Sequence, residues 1–118
     1  MENKDFNPIP LDEAARLLAV SVRTVRRLID NGQLNAVRIG PTLALAPSAL
    51  PEPLRRAFLS GYYDRLLTLH DVAARLGCSP ICVKKLTEDG ILRVVDVGRS
   101  SRWSCQEIDS YLKANIQP

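Results

Sequence analysis

Aromatic side chains are scarce in this chain: one Trp, three Tyr and two Phe, 5% of 118 residues. Any core must therefore be built from Leu, Val, Ile and Ala. No apolar run approaches the roughly 20 residues needed to span a bilayer. The opening MENKDFNPIP lacks the charged-then-apolar order of a signal segment. A cytoplasmic location with no membrane partner is the expectation, and thiols stay reduced there. The three cysteines, Cys78, Cys82 and Cys105, are an odd number, which argues against a disulfide framework. There is a single His, no glycine-rich phosphate loop and no nucleophile beside a base. The carboxylates are scattered, which speaks against a two-metal centre. No enzyme, cofactor or metal site is expected.

Charge of one sign is also modest. Sixteen Lys and Arg against 13 Asp and Glu leave a net charge of +3. Residues 1–59 carry eight basic and six acidic residues, and residues 60–118 eight and seven. Neither half is a basic tail. A surface for a polyanion must come from gathering basic residues on one face.

What the chain does have is a repeat. Shifted by 58 residues, it matches itself without a gap. Leu11, Ala15, Leu18, Ser21, Val25, Leu28, Gly32, Leu34, Val37 and Gly40 fall on Leu69, Ala73, Leu76, Ser79, Val83, Leu86, Gly90, Leu92, Val95 and Gly98. The shared residues are those a fold needs, so the repeat predicts a duplicated fold.

Each copy parses alike. Leu11, Ala14, Ala15 and Leu18 form the i, i+3, i+4, i+7 stripe of a short helix, as do Leu69, Val72, Ala73 and Leu76. Thr68 and Asp71 have capping-box spacing; Pro10 stands at the corresponding place in the first copy. A tight turn follows, with Gly77 suited to a positive φ. Ser21 and Ser79 then serve as N-caps for a second helix, which Gly32 and Gly90 end. LNAVRIG and LRVVDVG read as strands, turning at Gly40 and Gly98 into a hairpin. Pro51 and Pro53 open a further helix through Leu59, and CQEIDSYLKANI reads as its counterpart.

The expected fold is mainly α with small β-hairpin wings: two tandem winged helix-turn-helix units. The expected divisions are a tail at 1–8, unit 1 at 9–50, a connecting helix and linker at 51–66, and unit 2 at 67–118. Units this small lie near the lower limit of independent folding, so either the halves pack together or the protein dimerises.

The stretch LDEAARLLAVSVRTVRRLIDNGQLNAVRIG resembles the MerR-like, excisionase-type (AlpA-like) winged helix-turn-helix of phage excisionases and small prophage regulators. LHDVAARLGCSPICVKKLTEDGILRVVDVGRSSRW is similar but more divergent. The resemblance implies double-stranded DNA as partner, with the second helix of each unit in the major groove and the wing on the backbone or minor groove. It implies a transcriptional regulator or a recombination directionality factor of a phage or mobile element. A recombinase, RNA polymerase, another regulator or a second copy of the chain would then be protein partners. The rival reading is a protein-binding antiactivator that reuses the fold.

In unit 1, Val25, Leu28 and Ile29 face inward, leaving Arg23, Arg26 and Arg27 on one outer side. Such guanidiniums suit guanine edges or phosphates. Ser21 and Thr24 at the helix N-terminus suit a phosphate, and Arg38 opens the wing. Pro41, Thr42, Leu43, Ala44 and Leu45 make that wing apolar, fit for burial or for packing on a partner. In unit 2, Ile81 and Cys82 replace Arg23 and Thr24, leaving Ser79, Lys84 and Lys85 beside Glu88 and Asp89. Its wing, GRSSRW, offers Arg99, Ser100, Ser101 and Arg102 to phosphates or a narrow minor groove, with Trp103 as an anchor to the core. Cys78 stands at the repeat position of Val20 and reads as a small buried hydrophobe. A zinc site would need Cys78, Cys82, Cys105 and His70 to converge.

Overall fold

The computed structural model describes residues 7–116; most of the expected tail therefore lies outside the described residues. The chain runs β1 (Ile9–Pro10), α1 (Leu11–Leu18), α2 (Val22–Asp30), β2 (Ala36–Ile39), β3 (Thr42–Leu45), a 3-10 turn (Pro47–Ala49) and α3 (Leu54–Ser60). It continues with β4 (Leu66–Leu67), α4 (Leu69–Leu76), α5 (Pro80–Glu88), β5 (Val95–Val97), β6 (Ser100–Ser104) and α6 (Cys105–Ala114). The order strand, helix, helix, strand, strand, helix thus occurs twice.

The helices form where the apolar stripes and caps direct. Ser21 accepts from the Thr24 amide, Ser79 from the Cys82 amide and Ser104 from the Glu107 amide. Thr68 and Asp71 complete a reciprocal capping box, whereas Pro10 offers α1 no side-chain cap. The turn from α4 to α5 places Gly77 at φ 66°; the turn from α1 to α2 places Ala19 in the same left-handed region, at φ 57°.

The β structure goes further than the expected small hairpin wings. The architecture is mixed α/β, because each hairpin gains a third strand. The orders are β1–β3–β2 and β4–β6–β5, all antiparallel. Pro10 is tolerated because β1 lies at a sheet edge, where its missing N–H deprives no neighbour. Strand β4 straddles the expected boundary between residues 66 and 67. It is held by Asp64, whose carboxylate accepts from the Ser104 hydroxyl at 2.6 Å and from the Gln106 amide at 3.1 Å.

The second sheet packs on both faces, with its Asp96–Ser101 pair left exposed. Leu67 and Trp103 pack with Val72, Val83, Leu92 and Ile108. Leu66, Val95 and Val97 point the other way, into the core of Leu18, Val25, Leu28, Leu45 and Leu54. The two halves therefore share a sheet, the first of the two arrangements the sequence allowed. The apolar wing behaves as its composition requires: Ala44 and Leu45 are buried and Leu43 is half-buried.

Candidate nucleic-acid interface

Helix α2 is set by a short sequence of local decisions. The stripe of α1 ends at Leu18, Ala19 reverses the chain, and Ser21 starts the next helix with its hydroxyl on the Thr24 amide at 3.1 Å. Val25 and Leu28 are buried beneath it and Ile29 is half-buried. That anchoring turns Arg23, Arg26 and Arg27 outward, all exposed. The three line an open groove with Val22, Asp30 and Asn31. None of the three is in a hydrogen bond or ion pair among the described residues, and the same holds for Arg38 on β2 and Arg99.

Other cations are already used within the protein. Arg16 pairs with Asp12, Arg55 and Arg56 with Glu52, and Arg75 with Asp109. Uncompensated guanidiniums crowded on one helix face repel one another, and an anion relieves that repulsion. A polyanion with evenly spaced charges fits a row of this kind.

The remaining sequence-derived residues divide. Ser21 and Thr24 stand at the N-terminus of α2, but their hydroxyls are 3.0 Å apart and bonded to each other. Ser79 caps α5, and Lys84 and Lys85 are exposed on that helix. Ile81, where the first copy has Arg23, is 77% exposed. Ser100 is half-buried in β6 and Ser101 exposed. Trp103 is buried and donates its indole N–H to Thr87 at 3.1 Å.

Arg102 has a different place from the one expected. Its Nε and Nη2 donate to the Ala19 carbonyl at 3.1 and 3.0 Å, and Nη1 donates to Ser101 O. The side chain is a fork that locks β6 onto the turn before α2. Three of its five N–H donors are used there.

Asn31 and Gln33, which the sequence did not single out, line a cleft of about 330 Å³ with Arg27, Leu28, Gly98 and Arg99. The only signal was their position beside the Gly32 helix stop. Cys78 and Cys105 pack partly buried against the second core, while Cys82 is exposed. Burial pushes both the Cys78 and Cys105 thiols up from their ordinary value, with the neighbouring Cys82 adding to the effect at Cys78. Both therefore remain thiols, the weaker ligand and nucleophile form. Among the described residues, no three His, Cys, Asp or Glu cluster so as to hold a metal ion. No helix among them is long and apolar enough to cross a membrane.

Residues 11–43 match the family model of a helix-turn-helix domain. The match covers α1, α2, β2 and the start of β3, less than a third of the chain. No curated protein and no solved structure matches significantly. The family match and the α1–turn–α2 geometry agree that this segment is a helix-turn-helix domain, a class that points to DNA as ligand.

Proposed function

We propose that the protein is a sequence-specific DNA-binding regulator with two tandem winged helix-turn-helix units, the first of which reads bases through α2. The observation that carries this is the row of exposed, internally unpaired guanidiniums, Arg23, Arg26 and Arg27, on the second helix of a matched helix-turn-helix domain. In a major groove these side chains would supply bidentate contacts to guanine or phosphate. The repeated element order supports a second unit of the same kind. The resemblance of residues 11–40 to excisionase-type domains favours a mobile-element regulator or a recombination directionality factor. The role is non-catalytic.

A second reading applies to the second half. Ile81, Ile91 and Val94 are exposed around a helix that has lost the first copy's Arg23. That surface suits a protein partner better than a phosphate backbone. Selection of bound sites from a random duplex library, followed by titration of the selected duplex, tests both readings. Arg23→Ala and Arg26→Ala are expected to cost roughly 1–3 kcal/mol each with relaxed sequence preference, and Lys84→Ala much less. Equal losses would remove the division of labour, and failure to select any duplex would favour the protein-binding reading.

A further inference from the structure

The hairpin tips of the two copies have opposite fates. At the β2–β3 turn, a β-carbon added to Gly40 would meet nothing within 4 Å. At the β5–β6 turn, a β-carbon on Gly98 would sit 3.0 Å from Leu28 Cδ2 and 3.9 Å from Gln33 Oε1. The second hairpin is therefore seated on α2 of the first half. Three further features fix it there: Val95 and Val97 in the first-half core, the Arg102 fork on Ala19, and a floor shared with Leu18, Leu34 and Ala49.

This seating places Arg99 beside Arg27. The two arginines, with Asn31 and Gln33, line one cleft between α2 and the turn. Arg27 also borders the groove of Arg23 and Arg26, so the basic row on α2 continues across Arg27 onto Arg99. The acidic neighbours are Asp30 on the α2 side and Asp96 on β5, and neither forms an ion pair with these arginines.

We propose that the β5–β6 turn serves as a wing for the first helix-turn-helix, with Arg99 and Arg27 gripping the DNA backbone together beside the groove that α2 enters. Arg99 thus acts with the recognition helix of the other half and not with its own α5. Two guanidiniums and two side-chain amides around one cleft match the acceptor-rich phosphodiester, and the seating of the turn on α2 puts the two backbone segments that carry them side by side before DNA arrives. This inference rests on the DNA-binding reading above.

The test is a fluorescence-anisotropy titration of the full chain with a 30-base-pair duplex, first of mixed sequence and then the selected site, from 50 to 300 mM salt. Arg99→Ala is expected to weaken binding about three- to tenfold on both duplexes and to lower the log–log salt slope by about 1, as one lost phosphate contact does. In a double-mutant cycle, Arg99→Ala is expected to couple with Arg27→Ala and to add independently to Lys84→Ala and Lys85→Ala. Because Arg99 is exposed and internally unpaired, its alanine variant should melt as the parent does. If Arg23→Ala and Arg26→Ala weaken binding while Arg99→Ala changes neither affinity nor slope, the wing assignment is wrong and the DNA reading stands. Coupling of Arg99 to Lys84 or Lys85 in place of Arg27 overturns it equally. No duplex binding by the parent chain refutes the DNA reading itself.

Discussion

Alanine at Gly98 and at Gly40 forms a matched pair of perturbations, because the two positions are equivalent in the repeat. Their φ values are +60° and +58°, so an L side chain pays the same left-handed penalty at each, about 1 kcal/mol. The difference lies in what the new methyl meets. At Gly40 it enters open space. At Gly98 it lands 3.0 Å from Leu28 Cδ2, inside the 3.5–4.0 Å of a relaxed carbon contact. Leu28 is 3% exposed and held in the core, so it cannot swing into solvent. Overpacking of this kind costs about 1–3 kcal/mol. Gly98→Ala should therefore destabilise by about 2–4 kcal/mol and Gly40→Ala by about 1 kcal/mol. Urea melts followed by circular dichroism would show the gap as a lower midpoint at constant slope, and thermal melts as roughly 3–6 °C per kcal/mol. Losses equal within about 0.5 kcal/mol would refute the docking of the second hairpin on α2.

Four further outcomes follow from local geometry. Ala19→Gly should stabilise by about 0.5–1 kcal/mol in the same melts, since it relieves a left-handed alanine where the second copy already has Gly77. Arg102→Lys should cost about 1–2 kcal/mol of stability, because a lysine keeps the charge but loses the fork on the Ala19 carbonyl; unchanged stability would mean that the fork is idle. Thr68→Ala should cost about 1 kcal/mol. Hydrogen bonds from the Thr68 amide and then its hydroxyl hold the Asp71 carboxyl below its ordinary 3.8, so its contribution is complete above that pH and is lost as pH falls through the lower folded value. Asp71→Asn should therefore flatten the acid limb of a stability-against-pH profile below pH 4 and leave the neutral region parallel to the parent.

Helices, caps and hairpins were legible in the sequence because their causes are local. The stripe from Leu11 to Leu18, the serine caps and the glycine stops each act within a few residues. Strands β1 and β4 were not legible: two residues carry no period, and Pro10 argues against a strand unless its edge position is known. Ala19 gave no sign of its left-handed backbone, because alanine disfavours that region and only the tertiary fit imposes it. The contact of Arg102 with the first half was not legible for a related reason. A basic residue in a wing suits phosphate on paper, and only the folded chain brings the carbonyl of Ala19 within its reach. The exposed row on α2 was legible because Val25 and Leu28 fix the opposite face.

The contrast between the two hairpins explains why a repeated sequence yields an asymmetric surface. Ile39 and Val97 are equivalent and chemically alike, yet Ile39 is 53% exposed and Val97 5%. Nothing in either side chain sets this difference; position along the chain does. The second hairpin has a preceding unit to dock against, whereas the first hairpin has none within the described residues. Docking in turn changes the constraint on each copy. The first α2 must keep Leu28 as a seat for Gly98, which fixes its inner face and holds Arg23, Arg26 and Arg27 outward. Helix α5 meets β6 through the Trp103–Thr87 bond, but among the described residues no hairpin turn is seated on Leu86, the equivalent of Leu28, which is half-buried, and Ile81 has taken the place of an arginine. A hairpin tip seated on Leu28 of α2, with none on Leu86 of α5 among the described residues, is the physical difference between two copies of one sequence.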